Sequence, residues 1–131
     1  MAFPGAKFAW NGVSAHVKIP GAGETVNSEY FPVARGAKVL TIHVPALTGT
    51  GATVKLQSLA PTETAEATQV WTDVSVFDLT DGTMEALDGL VESTCVTIPV
   101  SATGGGMLRF VASESQAAAT VVIEVFQSFD G

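Results

Sequence analysis

Residues 13–19 read VSAHVKI. On an extended chain, Val13, Ala15, Val17 and Ile19 fall on one face, and Ser14, His16 and Lys18 on the other. A period of two marks a half-buried β-strand, because successive side chains point to opposite sides of the pleat. The same period recurs along the chain. In residues 38–44, Leu40, Ile42 and Val44 alternate with Val39, Thr41 and His43. Val54, Leu56 and Ser58 stand opposite Lys55 and Gln57, and Val74 and Val76, with Thr72, share a face between Val70 and Leu79. TCVTI (94–98), MLRFVA (107–112) and AATVVIEVF (118–126) complete the set. The last is rich in β-branched residues, as suits a central strand.

Turn chemistry punctuates these runs. Gly21 and Gly23 follow the first. LTGTGA (47–52) reads as a hairpin-type connection, Asp81-Gly82 as a turn dipeptide, and SATGGG (101–106) as a glycine-rich turn between two strands. Seven or eight short strands with regular turns predict an all-β chain, a single antiparallel β-sandwich or jelly-roll-like domain. Only TMEALDGLVE (83–92) breaks the pattern. Met84, Leu87 and Val91 have helical spacing, but Gly89 costs a helix about 1 kcal/mol relative to alanine. A helical turn and an edge strand or loop both remain open there.

The first twelve residues, MAFPGAKFAWNG, have neither period. They read as an extended N-terminal arm (1–12) leading into the sandwich domain (13–131). Phe3, Phe8 and Trp10 are too few to form their own core, so they pack on the domain, on a partner, or stay exposed.

The chain has 131 residues, enough for one domain with a sizeable core. Hydrophobic residues make up 47% and charged residues only 15%, against about 25% in ordinary globular proteins. Such a surface favours life in an assembly, and a homo-oligomer, with a trimer favoured, is the expectation. The formal net charge is −7. Lys7, Lys18, Arg35, Lys38, Lys55 and Arg109 are spread singly, so no basic patch suits nucleic acid or an anionic membrane. Cys95 is the only cysteine, which rules out an intramolecular disulfide. The opening residues lack a signal-peptide core, and no apolar run reaches the roughly 18 residues of a spanning helix. Synthesis in a cytoplasm is the expectation.

Reactive groups are sparse. His16, His43 and Cys95 could form a nucleophile–base pair only if the fold assembled them, and no nucleophile motif surrounds them. No HxH, HExxH or CxxC occurs, and the acidic run DLTDGTMEALD (78–88) misses calcium-loop spacing. TGGGM (103–107) lacks the Lys-Ser/Thr of a phosphate loop and precedes a strand. Neither a catalytic residue nor a metal or cofactor site is expected. Trp71 and Tyr30, with Trp10, are the residues that could stack on a sugar, but Trp71 reads better as a plug at one end of the core than as a ligand platform. Between the strands of TVKLQSLAPTETAEATQVWTDV (53–74), the middle (59–69) is small and polar. It reads as an exposed crossing where a partner could make contact.

Two segments carry a resemblance. GATVKLQSLAPTETAEATQVWTDVSVFDLTDG (51–82) resembles a hairpin of small β-sandwich virion proteins of tailed bacteriophages, in which a strand ending in Gln-Ser is followed by a polar loop and Trp-x-Asp-Val. The loop here, APTETAEATQ, is longer. IPVSATGGGMLRFVASESQAAATVVIEV (98–125) resembles the closing hairpin of the same proteins, with its Leu-Arg-Phe strand. The resemblance implies a non-enzymatic structural role in a virion: a capsid decoration protein, or a neck or tail component. The implied partner is the major capsid protein or another virion protein, and Phe3, Phe8 and Trp10 are the expected anchors. The alternatives are a carbohydrate-binding module on a phage surface, and a small inhibitor or effector.

Overall fold

The computed structural model describes residues 11–20, 26–59, 69–78, 82–86, 89–104, 106–116 and 121–130. They form strands β1 (Gly12–Ile19), β2 (Phe31–Pro32), β3 (Val39–Val44), β4 (Thr53–Leu59), β5 (Trp71–Asp73), β6 (Ser75–Asp78), β7 (Thr83–Ala86), β8 (Leu90–Val91), β9 (Thr94–Pro99), β10 (Met107–Ala112) and β11 (Val121–Ser128). The one helical segment among these residues is a 3-10 turn, Val100–Thr103. The chain is therefore all-β.

Two antiparallel sheets pack face to face. The first has the order β1-β11-β3-β9; the second has the order β2-β10-β4-β5, with β8 also paired to β4. The pairing follows a simple rule. The first strand pairs with the last, β2 with β10, β3 with β9, and β4 with β8. That is one long antiparallel hairpin, β1–β4 against β8–β11, folded over on itself. Rolling it brings β11 against β3 and β10 against β4, which closes the two sheets. This nested arrangement is the jelly roll, in which strands alternate between sheets along the chain. The tip of the long hairpin carries an excursion holding β5 and the separate β6–β7 ribbon.

The topology corrects the connections expected from turn chemistry. Residues 45–52 cross from β3 in one sheet to β4 in the other, so LTGTGA is not a hairpin. The same holds for the glycine-rich 101–106 segment. It begins as the 3-10 turn, passes through Gly104 at φ 76 and delivers the chain from β9 to β10 in the opposite sheet. Likewise β10 and β11 pair with different neighbours, so residues 98–125 do not close as a hairpin. Glycine-rich turns are compatible with both geometries; what separates them is which sheet buries the next apolar face. Two expectations hold: β4 and β5 pair directly, and Gly82, at φ 73, turns β6 into β7. Residues 83–86 and 90–91 are strands, so the helical spacing of Met84 and Val91 is incidental.

The core lies between the sheets and is built from the inward residues of each alternation. Val17, Ile19, Leu40, Ile42, Ile98, Ile123 and Val125 come from the first sheet, and Phe31, Val54, Leu56, Leu90, Leu108, Phe110 and Ala112 from the second. Phe31 and Phe110 stack with centroids 5.7 Å apart and planes 22° apart. Buried glutamines tie the connecting segments to the sheets. The Gln127 Oε1 accepts from the Ala34 amide at 2.6 Å, and its Nε2 donates to the Pro32 carbonyl at 3.0 Å. Gln116 ties two connecting segments to each other, accepting from the Thr48 amide at 2.7 Å. Buried amide side chains are tolerated here because their donors and acceptors are matched.

Candidate functional site: an aromatic and arginine platform

With the inward faces committed to the core, chemistry is left to the outward ones. On the second sheet the register sets Arg109 opposite Gln57, Gln57 opposite Asp73, and Leu59 opposite Trp71. Cross-strand partners share a face, so Arg109, Gln57, Asp73 and Trp71 stand together on the outside. Trp71 is thus not the core plug that its position at a strand start suggested. It is half-buried on the outer face, while Val74, three residues on, takes the core position and donates its amide to the Leu56 carbonyl at 2.9 Å.

The Arg109 guanidinium lies over the Trp71 ring, 4.4 Å from its centroid. Tyr30, in the segment leading into β2, meets the same indole at 6.0 Å with planes tilted by 46°. The guanidinium is fixed from below: its Nε donates to Gln57 Oε1 at 2.9 Å, and Gln57 Nε2 donates to Asp73 Oδ1 at 2.9 Å. Lys55 Nζ closes the chain at 3.3 Å from the same Asp73 oxygen. Gln57 is itself buried, so this relay is a rigid support for Arg109 and not a loose surface contact. Partial burial draws the Arg109 pKa below its ordinary value, yet an arginine remains charged at physiological pH. A cation held over an indole contributes about 0.5–2 kcal/mol, more as water is removed. Around this centre Tyr30 is 57% exposed and Val70 53% exposed, two large apolar side chains left uncovered beside Trp71.

The hydrogen bond from Gln57 lowers the Asp73 pKa below its ordinary value; desolvation opposes it, and Lys55 adds to the lowering. A depressed folded-state pKa means the carboxylate stabilises the fold above its unfolded pKa, about 3.9. That stability is lost as pH falls through the lower, folded value. Asp73→Asn should therefore cost stability at neutral pH, by less than about 1 kcal/mol for so exposed a pair. The gap between the two proteins should shrink in acid, as measured by urea unfolding between neutral pH and pH about 3. A gap that stays constant with pH would contradict the relay.

On the opposite side of the molecule, the outer face of the first sheet holds the two histidines. Cys95 Sγ lies 3.8 Å from His43 Nε2, and His16 Nε2 lies 3.6 Å from Glu124 Oε1. The fold thus unites the cysteine and histidine that no motif linked. A groove of about 470 Å³ runs beside them, lined by Gly12, Ser14, His16, His43, Glu124 and Phe126 among others. A Cβ on Gly12 would run into the Gln127 carbonyl and the Phe126 ring, so only glycine lets β1 and β11 approach there. Among the described residues no three His, Cys, Asp or Glu side chains converge on one point.

Phe3, Phe8 and Trp10 lie outside the described residues, as does most of the 59–69 crossing. So do Asp81 and Asp88 of the acidic run. The platform residues missed in the sequence are Arg109, Gln57 and Asp73. Their outward orientation was legible from alternation, but their mutual alignment depends on register. No helix among the described residues is long and apolar enough to cross a membrane. Comparison with known protein families, with curated proteins and with solved structures finds no match to this chain.

Proposed function

We propose that this chain is a non-enzymatic structural protein of a tailed-phage virion, a capsid decoration protein that stabilises the particle through protein–protein contacts. The observation that carries the reading is the Tyr30–Trp71–Arg109 cluster on an outer sheet face. Tryptophan, tyrosine and arginine are the residues that dominate protein-interface energetics, because they combine large apolar area with a fixed polar tip. Here Gln57 and Asp73 hold Arg109 over the Trp71 ring, so little of that side chain's entropy is lost on contact. The resemblance of residues 51–82 to virion proteins points the same way, since that segment supplies Gln57, Trp71 and Asp73. The jelly roll is compatible with this role but also hosts lectins, so fold alone does not decide it. The N-terminal arm, with Phe3, Phe8 and Trp10, is the second contact in this reading.

The test is made on particles that carry the chain. Electron microscopy of purified virions should find it on the capsid surface at a symmetric set of positions; particles lacking it overturn the proposal. Deleting residues 2–10 should abolish particle binding while leaving a cooperative unfolding transition. A truncated chain that binds normally removes the arm from the mechanism.

A second reading draws on the same face. Tyr30 presents an exposed ring, and Gln57, Asp73 and Lys55 supply polar groups beside it, the combination that grips a sugar ring. Glycan-array screening separates the two: a wild-type signal lost in Trp71→Ala favours carbohydrate, and no signal favours a protein partner.

A further inference from the structure

In register, His16, Glu124, His43 and Cys95 form a row across the first sheet, one residue on each of β1, β11, β3 and β9. The sheet ends at β1, and that edge differs from the others. In an edge strand every second residue turns its amide and carbonyl away from the sheet. The Asn11 carbonyl accepts from the Phe129 amide beyond the end of β11, so the odd-numbered residues of β1 bond inward. The even-numbered ones face out, as Lys18 shows. Its amide donates to Glu29 Oε1 at 3.2 Å, and its carbonyl accepts from the Glu29 amide at 3.0 Å. Glu29 thus closes the edge at Lys18. Among the described residues nothing closes it at Gly12, Ser14 and His16.

The other edges of the two packed sheets are blunted. β2 has two residues, one of them Pro32; β8 has two, and β5 has three, ending in Asp73. On β9 the Val100 amide donates to the Lys38 carbonyl at 2.9 Å, so Cys95, Thr97 and Pro99 face out, and Pro99 has no amide to offer. β1 instead keeps unbroken register with β11 over 8 residues. Between Gly12 and Val17 it holds no proline and no lysine, arginine, aspartate or glutamate. Short strands, prolines, bulges and charges are the devices that keep sheet edges from pairing. This stretch has none of them, in a chain with only 15% charged residues.

We propose that β1 pairs antiparallel with β1 of a second copy of this chain, about a two-fold axis at Ser14. The open edge fits itself. Its outward residues are symmetric about Ser14, so Ser14 meets Ser14 of the second copy, and Gly12 meets His16 on either side. Each such pair exchanges two hydrogen bonds, which satisfies every outward amide and carbonyl from Gly12 to His16. His16, the one titratable side chain of the stretch, faces a glycine, so no like charges stand opposite each other. The same register serves the core. Val13 points to the inward side with Val17 and Ile19, yet it is 43% exposed, and Ala15 is only half-buried. In the pair, Val13 of each copy lies across from Ala15 of the other, and the uncovered end of the apolar face is covered. The first sheets of two copies become one continuous sheet. Such a contact is isologous and closes at two copies, in place of an expected trimer. It lies on the sheet opposite the Trp71 platform, so losing one contact leaves the other intact.

The test uses the full chain with a reductant present, which keeps Cys95 out of disulfides. Sedimentation equilibrium should show a monomer–dimer equilibrium between about 1 and 300 µM, the range of a small interface. Ser14→Lys sets two ammonium groups opposite each other at the axis and should weaken the dimer about tenfold or more. Thr97→Lys, on the β9 edge, should leave it unchanged. Both side chains are exposed, and far-ultraviolet circular dichroism should show both variants folded. Hydrogen exchange at the Ser14 and His16 amides should slow as concentration rises through the transition, while the Thr97 amide is unaffected. A wild-type chain that stays monomeric across the range overturns the pairing. So does a dimer as tight in Ser14→Lys as in wild type, or exchange at Ser14 that does not depend on concentration.

Discussion

Phe110→Ala will lower the unfolding free energy by about 3–5 kcal/mol, the range for truncating a fully buried phenylalanine. Phe110 has no exposed surface and sits on β10, between β2 and β4 in the second sheet. Its ring stacks on Phe31, the residue that carries the short β2 into the core. Two losses combine. The apolar area is returned to water, and a cavity remains because β10 cannot collapse toward its neighbours without breaking its pairing with β4. The backbone sharpens the effect. The Phe110 amide donates to Ser28 Oγ at 2.9 Å, and its carbonyl accepts from the Ser28 amide at 2.8 Å. Any shift of β10 to fill the cavity strains both bonds. Chemical denaturation should show the loss, and Phe110→Leu should recover a large part of it. A loss below about 1.5 kcal/mol would mean the sheets close over the gap, and that the core is less tightly specified than its burial indicates. Val111→Ala, on the outer face of the same strand, should cost under about 1 kcal/mol.

Among single substitutions, Trp71→Ala will have the largest effect on partner binding. Removing a buried interface tryptophan costs 2 kcal/mol or more, roughly a thirtyfold or greater loss of affinity. The expectation rests on position: Trp71 is the side chain that both Tyr30 and Arg109 rest on. Without it Arg109 keeps its bond to Gln57 but loses the surface that orients its plane. Stability should change much less than affinity, because Trp71 lies on the three-residue β5 and not between the sheets. Arg109→Lys should reproduce part of the binding loss, since lysine carries the charge but not the planar fork that spans Gln57 and the indole. Titration of wild type and variants against purified particles, or against immobilised glycans on the second reading, measures this. Equal affinity of Trp71→Ala and wild type for every partner would remove the platform from the mechanism.

The period-two alternation of the chain already contained the longer strands, their inward faces and the all-β class, but not β2 or the strands at 83–86 and 90–91. Val17 and Ile19, Leu40 and Ile42, Leu108 and Phe110 are buried because alternation puts them on one side, and every sheet that forms must cover that side. Connections were a different matter. Residues 47–52 and 101–106 carry turn chemistry that serves a hairpin and a crossing between sheets equally well, because glycine permits the positive φ that either needs. The choice is made by where the next apolar face finds a partner, and that is a property of the whole roll.

The candidate sites divide in the same way. Tyr30 and Trp71 were visible as aromatics with a choice of roles, and the outward orientation of Arg109 was implicit in MLRFVA. Their assembly was not, because residues 30, 71 and 109 meet only through the register of β4 with β5 and β10. The row of His16, Glu124, His43 and Cys95 was less visible still. Its members are spread over most of the chain and match no spacing motif, since a row drawn from four strands has no local period.

By itself the sequence determined the all-β class, the longer two-faced strands and the absence of a basic patch, because local periodicity and composition act within a few residues. The tertiary structure decided the jelly-roll pairing, the move of Trp71 from core to surface and which side chains meet on the two outer faces. These depend on long-range register, which is set when apolar faces from distant segments are buried against one another.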